Sequence, residues 1–186
     1  MIRFVTIRSH LLPLPAVRLI TVLIALCLTI HSAETLPRKA PEFMFNFPGI
    51  GDKLLSQYQG KVVALEFIET TCPHCQAASK FMSELQAQYG SRGLQVVSIA
   101  VNSNADLLVE NFAREFHVNF PVGWSTPDRM RAFMGFDPGL FVVPQLALID
   151  RKGYIHYQTP AKESEDWEKL MNHDSLRFHI EELVRK

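Results

Sequence analysis

The sequence predicts a single α/β domain, a central mixed β-sheet flanked by helices on both faces. Two runs, Val62 to Ile68 and Leu94 to Val101, are apolar nearly throughout, as strands covered on both faces are. Segments with helical spacing alternate with them. Gln145 to Asp150 and Gly153 to Tyr157 then read as a hairpin across Arg151-Lys152, which adds antiparallel strands. Strands alternating with helices in this way stack as layers with the sheet in the middle.

Residues 1–33 stand apart from that pattern. Arg3, Arg8 and Arg18 are their only formally charged side chains, and the first acidic residue is Glu34. Leu19 to Ile30 is uncharged and rich in Leu and Ile, and the small pair Ser32-Ala33 follows it. A basic start, a short apolar run and a small-residue end read as a secretory signal peptide. Counted from Leu11, with Arg18 and two prolines tolerated, the stretch reaches the ~20 residues of a membrane span. An uncleaved N-terminal membrane anchor is therefore the alternative, and a buried helix the third reading. Cys27 follows Leu26, where a lipoprotein signal has a small residue, and reads as a bystander. Residues 34–40, with their proline and two basic side chains, read as a linker, and residues 41–186 as the domain.

The chain has 19 basic and 19 acidic residues, and removing the three early arginines leaves 16 against 19, net −3. That balance argues against a nucleic-acid surface or a polybasic membrane patch. Export places the domain outside the cytoplasm, in a periplasm or on the outer face of a membrane, where cysteine pairs are expected to cycle.

Within the domain, Val62 to Ile68 is the first long strand. Cys72 to about Tyr89 follows as a helix ended by Gly90 and Gly93, with its inward stripe expected at Cys75, Ala78, Met82, Leu85 and Tyr89. After the strand Leu94 to Val101 come an amphipathic helix over Asp106 to His117, a short strand over Phe120 to Trp124 and a short helix over Asp128 to Met134. Glu163 to Val184 closes the chain as a helix with a possible break at Asn172 to Asp174. There is no internal repeat.

Cys72-Pro73-His74-Cys75 sits between the first strand and its helix. Cys75 falls on the buried stripe. Cys72 falls at the first turn, where unpaired N–H groups and the positive end of the helix dipole stabilise a thiolate. Cys72 is thus the attacking sulfur and Cys75 the one that closes the disulfide. Pro73 suits the first helical position, where its missing N–H leaves nothing unpaired. His74 can donate a hydrogen bond or carry charge beside the thiolate, which favours the reduced form. Half of a zinc site is the bland alternative, but no second cysteine pair exists, and His173 and His179 are six apart on a polar helix. A purely structural disulfide closing so short a loop would stabilise little.

Lys61 to Cys75, Lys-Val-Val-Ala-Leu-Glu-Phe-Ile-Glu-Thr-Thr-Cys-Pro-His-Cys, resembles the strand-and-motif segment of the thioredoxin superfamily. Ala40-Pro41-Glu42-Phe43, Gly60-Lys61 and the added helix and strand over Asp106 to Trp124 resemble the TlpA/ResA branch of envelope thiol-disulfide oxidoreductases. The resemblance covers roughly residues 40 to 160. It implies a thioredoxin-like fold and disulfide exchange with protein substrates through the Cys72–Cys75 pair, with no other cofactor and no metal. It also implies a membrane or envelope redox partner. By resemblance, Pro144 is the cis-proline facing the cysteines, and the Val143 backbone pairs with an extended substrate chain. An ordinary trans proline is the alternative. Glu66, six residues before Cys72, matches the superfamily's buried acid, which shuttles the Cys75 proton; an ion pair with a lysine or an edge position is the alternative.

The sequence departs from the pattern at Thr71, where an aromatic is usual, and at Ala78, where some members have glutamate. The approach to the proline, Asp137 to Val142, is longer than usual. The overall order resembles reductases of the TlpA/ResA type, whereas Cys-Pro-His-Cys and Val143 resemble the oxidant DsbA, so a dithiol oxidant is the alternative to a reductase. A peroxiredoxin-like peroxidase would need threonine and proline where Glu69 and Leu65 stand. A Sco-like copper carrier, with His117 or His156 as third ligand, would need its cysteines three residues apart.

Overall fold

The most apolar strand takes the central place. The computed structural model describes residues 35–186, so the signal or anchor reading of residues 1–33, with Cys27, lies outside the described residues. Eight strands form one sheet: β1 (Arg38–Lys39), β2 (Met44–Phe47), β3 (Gly51–Leu54), β4 (Val62–Ile68), β5 (Leu94–Ala100), β6 (Val122–Trp124), β7 (Gln145–Ile149) and β8 (Tyr154–Gln158). Their order is β1-β8-β7-β4-β5-β6-β2-β3. The β4–β5 and β5–β6 pairs are parallel and the others antiparallel, so the sheet is mixed as the sequence predicts. Every residue of β4 is buried.

Five helices cover it: α1 (Pro73–Tyr89), α2 (Ala105–Glu115), α3 (Pro127–Met134), α4 (Glu165–Met171) and α5 (His173–Arg185). Alternation along the strands sends side chains to two separate cores. Val62, Ala64, Ile68, Val96, Leu146 and Leu148 meet α1, α2 and α5 on one face. Val63, Leu65, Phe67, Val97, Ile99 and Ala147 meet α3 and the aromatic strand β2 on the other. There Phe43 packs edge-on against Phe67 and Phe133, with centroids 5.5 and 5.3 Å apart. Such edge-to-face contacts add about 0.5–1.5 kcal/mol each beyond burial.

The β2–β3 hairpin has no counterpart among the elements expected from sequence. β1 falls within the stretch read as a linker: Arg38 pairs with Ile155 of β8 and donates to Phe133 O and Gln158 Oε1, both at 2.8 Å. The closing helix is broken, at Asn172. Its side chain accepts from the N–H groups of Asp174 and Ser175, satisfying the first turn of α5 where α4 has ended.

Candidate active site

Strand β4 delivers the motif. Beyond Ile68 the chain turns through Glu69 to Thr71, with Cys72 N–H donating to Glu69 O, and Cys72 becomes the N-cap of α1. Pro73 occupies the first helical position. Cys72 Sγ accepts from Cys75 N–H at 3.4 Å, so one of the helix's unpaired donors points at this sulfur. Cys72 is half-buried, whereas Cys75 is fully enclosed, and both are free thiols. Cys75 Sγ accepts from Glu69 N–H at 3.5 Å. Burial, reinforced by the neighbouring Cys72 and Glu66, raises the Cys75 thiol well above its usual range. The two sulfurs are therefore chemically unequal. His74 is exposed beside them.

The inward stripe of α1 differs from expectation in two ways: Phe81 is buried in addition, and Ala78 is not part of it. Ser79, not Ala78, is fully buried, because it lies four residues after Cys75 and so directly above it on the same face. Ala78 is instead half-exposed and lines a groove with His74, Ala77, Pro144, Trp167 and Met171. The small alanines leave the space, and α4 supplies its far wall.

Glu66 is wholly enclosed at the middle of β4, on the face that meets α1. It is at no edge and, in place of a lysine, two hydroxyls hold it: Ser98 Oγ donates to Oε2 at 2.5 Å and Ser79 Oγ to the same oxygen at 3.1 Å. Oε1 is buried without a partner. Burial raises the carboxyl to about 7, against the pull of the two hydroxyls. The sequence reading missed both serines. Their signal was present, a serine interrupting each of two buried apolar faces, but their convergence requires the register Glu66–Ser98 that only the folded sheet shows.

The Val143–Pro144 bond is cis, as the resemblance implies. It sits at the motif end of the sheet, since the next residue, Gln145, pairs with Phe67. Val142 N–H donates to Ala161 O, and Gln145 Nε2 donates to Val142 O, which fasten the loop. Val143 packs on the motif-side core with Cys72. The histidines considered for copper lie elsewhere. His156 binds Asp150 Oδ2 at 2.9 Å at the opposite end of the sheet, and His117 lies just past the C-cap of α2, Phe116. Among the described residues, no three His, Cys, Asp or Glu side chains converge as metal ligands.

Residues 38–174 match the Redoxin family. The chain belongs to that family. Thiol-disulfide oxidoreductase ResA of Geobacillus thermodenitrificans (strain NG80-2) is 29% identical to this redoxin over 127 residues, 68% of this chain and 70% of that one. A putative thiol:disulfide interchange protein DsbE from Chlorobium tepidum superposes with a TM-score of 0.60 at 26% identity, over 76% of this chain and 96% of the other. A thioredoxin family thiol:disulfide interchange protein from Chlorobium tepidum TLS gives 0.65 at 25% identity, over 82% and 99%. This redoxin is a TlpA/ResA-like protein-disulfide oxidoreductase of the thioredoxin superfamily.

Proposed function

We propose that this redoxin exchanges disulfides with protein substrates outside the cytoplasm, as a reductase, using Cys72 as nucleophile and Cys75 to close the disulfide. The observation that carries it is the unequal burial of the two sulfurs at the start of α1. Cys72 Sγ attacks one sulfur of a substrate disulfide, and the mixed disulfide forms as the other leaves as a thiolate. Cys75 then gives its proton to Glu66 and attacks Cys72, releasing the second substrate thiol and leaving Cys72–Cys75 oxidised. A membrane or envelope partner returns the two electrons. The Val143 backbone beside Pro144 aligns an extended substrate chain, and Pro73 and His74 tune the attacking sulfur. The redox pair is the only cofactor in this scheme, and residues 1–33 deliver the domain as a signal peptide or anchor. The named activities of the ResA and DsbE relatives support this chemistry.

Replacing Cys75 with alanine tests the scheme. The mixed disulfide at Cys72 accumulates in envelope extracts, and mass spectrometry names the substrates; if no Cys72-linked adduct forms, the exchange mechanism is wrong. The Cys-Pro-His-Cys sequence favours a second reading, a dithiol oxidant. Equilibration of Cys72–Cys75 with glutathione separates the two. A reductase pair stays oxidised well below the glutathione couple, and an oxidant pair is reduced by it.

A further inference from the structure

Two hydroxyls converge on a single oxygen of Glu66 while its other oxygen, equally enclosed, has no partner. The donors come from different elements, Ser98 from the paired position on β5 and Ser79 from α1, one turn beyond Cys75. A hydroxyl–carboxylate bond fixes the plane of the carboxyl as well as holding its charge. We propose that Ser79 and Ser98 are positioning residues: by both donating to Oε2 they fix the carboxyl in one orientation and reserve Oε1 to accept the Cys75 proton.

This rests on the exchange scheme above and assigns it two further residues. In the closing step the Cys75 S–H bond breaks and its proton passes to Oε1. The Cys75–Cys72 bond forms, and the Cys72–substrate bond breaks with its electron pair leaving on the substrate sulfur, which is protonated by water. The dithiol loses two electrons and the substrate disulfide gains them. The proton stays on Glu66 until the pair is reduced again.

The surroundings of Glu66 make its titration simple to read. From α1 the titratable groups facing it are Cys75 and, beyond it, Cys72. β5 offers Ser98 and β7 offers Leu146 at the paired positions. α5, which also packs on β4, turns Leu176, Ile180 and Leu183 inward. The hydroxyls therefore carry the polar control of this carboxyl. Losing one hydrogen bond to the charged form moves its titration upward by about one pH unit, roughly a tenfold change.

Mixing reduced protein with one equivalent of an aromatic disulfide whose thiol product is coloured separates the steps. The first chromophore reports attack by Cys72 and the second reports closure by Cys75. Followed across the neutral pH range, the closing step of the unaltered protein rises with pH as Glu66 ionises. Glu66→Gln removes that rise. Ser98→Ala and Ser79→Ala each shift its midpoint upward by about one pH unit and slow closure several-fold near neutrality, with attack by Cys72 unchanged. Ser98→Thr, which keeps the hydroxyl, restores the midpoint. If Glu66→Gln keeps the pH rise, Glu66 is not the proton acceptor and the scheme fails with it. If Glu66→Gln removes the rise but both serine variants keep the original midpoint and merely melt earlier, the hydroxyls are structural and the proposal is overturned.

Discussion

Cys75 and Glu66 are each placed where water cannot reach them, and each is pushed toward its neutral form by that burial. Neutrality is what makes their enclosure affordable, and it ties stability to pH. Glu66 has an ordinary value of 4.5 and is raised to about 7 in the fold, so the folded state holds its proton over a range where the unfolded chain has lost it. The resulting stability is fully present below 4.5 and is lost as pH rises through about 7, a span worth about 3 kcal/mol. Chemical denaturation of the reduced protein should therefore show stability declining across that window, and Glu66→Gln should flatten the profile. An unchanged slope in the variant would assign the dependence to another group. Of these residues, Cys72, Cys75 and Pro73 are legible in the sequence because a spacing and a helix start are local properties, whereas Glu66 is singled out only through the resemblance to the thioredoxin superfamily. Ser79 and Ser98 are not legible, because hydroxyls on a helix and a neighbouring strand acquire meaning only from which carboxyl they meet.

The elements show the same division. β4, α1 and β5 follow from uninterrupted apolar runs and from the motif that caps the helix. β2 and β3 went unread although Phe43, Phe45 and Phe47 alternate at a period of two ahead of Pro48-Gly49-Ile50-Gly51. Four-residue strands are too short for a periodicity to stand out. Asn172 joins α4 to α5 through its two accepted N–H bonds, and Asn172→Ala should cost about 1 kcal/mol in denaturant unfolding. The junction also bears on the groove, since Trp167 and Met171 of α4 face His74 and Pro144 across it. Trp167→Ala should raise KM for a protein disulfide substrate about tenfold and leave turnover of a small aromatic disulfide unchanged. Equal losses on both substrates would place Trp167 outside substrate recognition.

At the scale of the molecule, one long side chain ties distant parts of the chain together. Arg151, in the turn between β7 and β8, donates to Gly60 O, Arg92 O and Val184 O. Its guanidinium fills the space where a side chain at Gly93 would lie, and Gly93 has φ +98°. Arg151→Ala should destabilise the domain by about 1–3 kcal/mol, and Gly93→Ala should also destabilise it, through strain at a backbone angle that alanine resists; thermal melts check both. The two-faced sheet has a further consequence, for how the chain finds its fold. β4 is apolar on both sides except at Glu66, so sliding it one residue past its neighbours would change hydrophobic burial little while exchanging its two faces. In the slipped arrangement the carboxyl would face the rings of Phe43 and Phe133, away from both serines. That loss of partners makes the wrong pairing costly before any chemistry is possible. The carboxyl that Ser79 and Ser98 hold in the finished protein is also the mark by which the assembling sheet tells one side from the other.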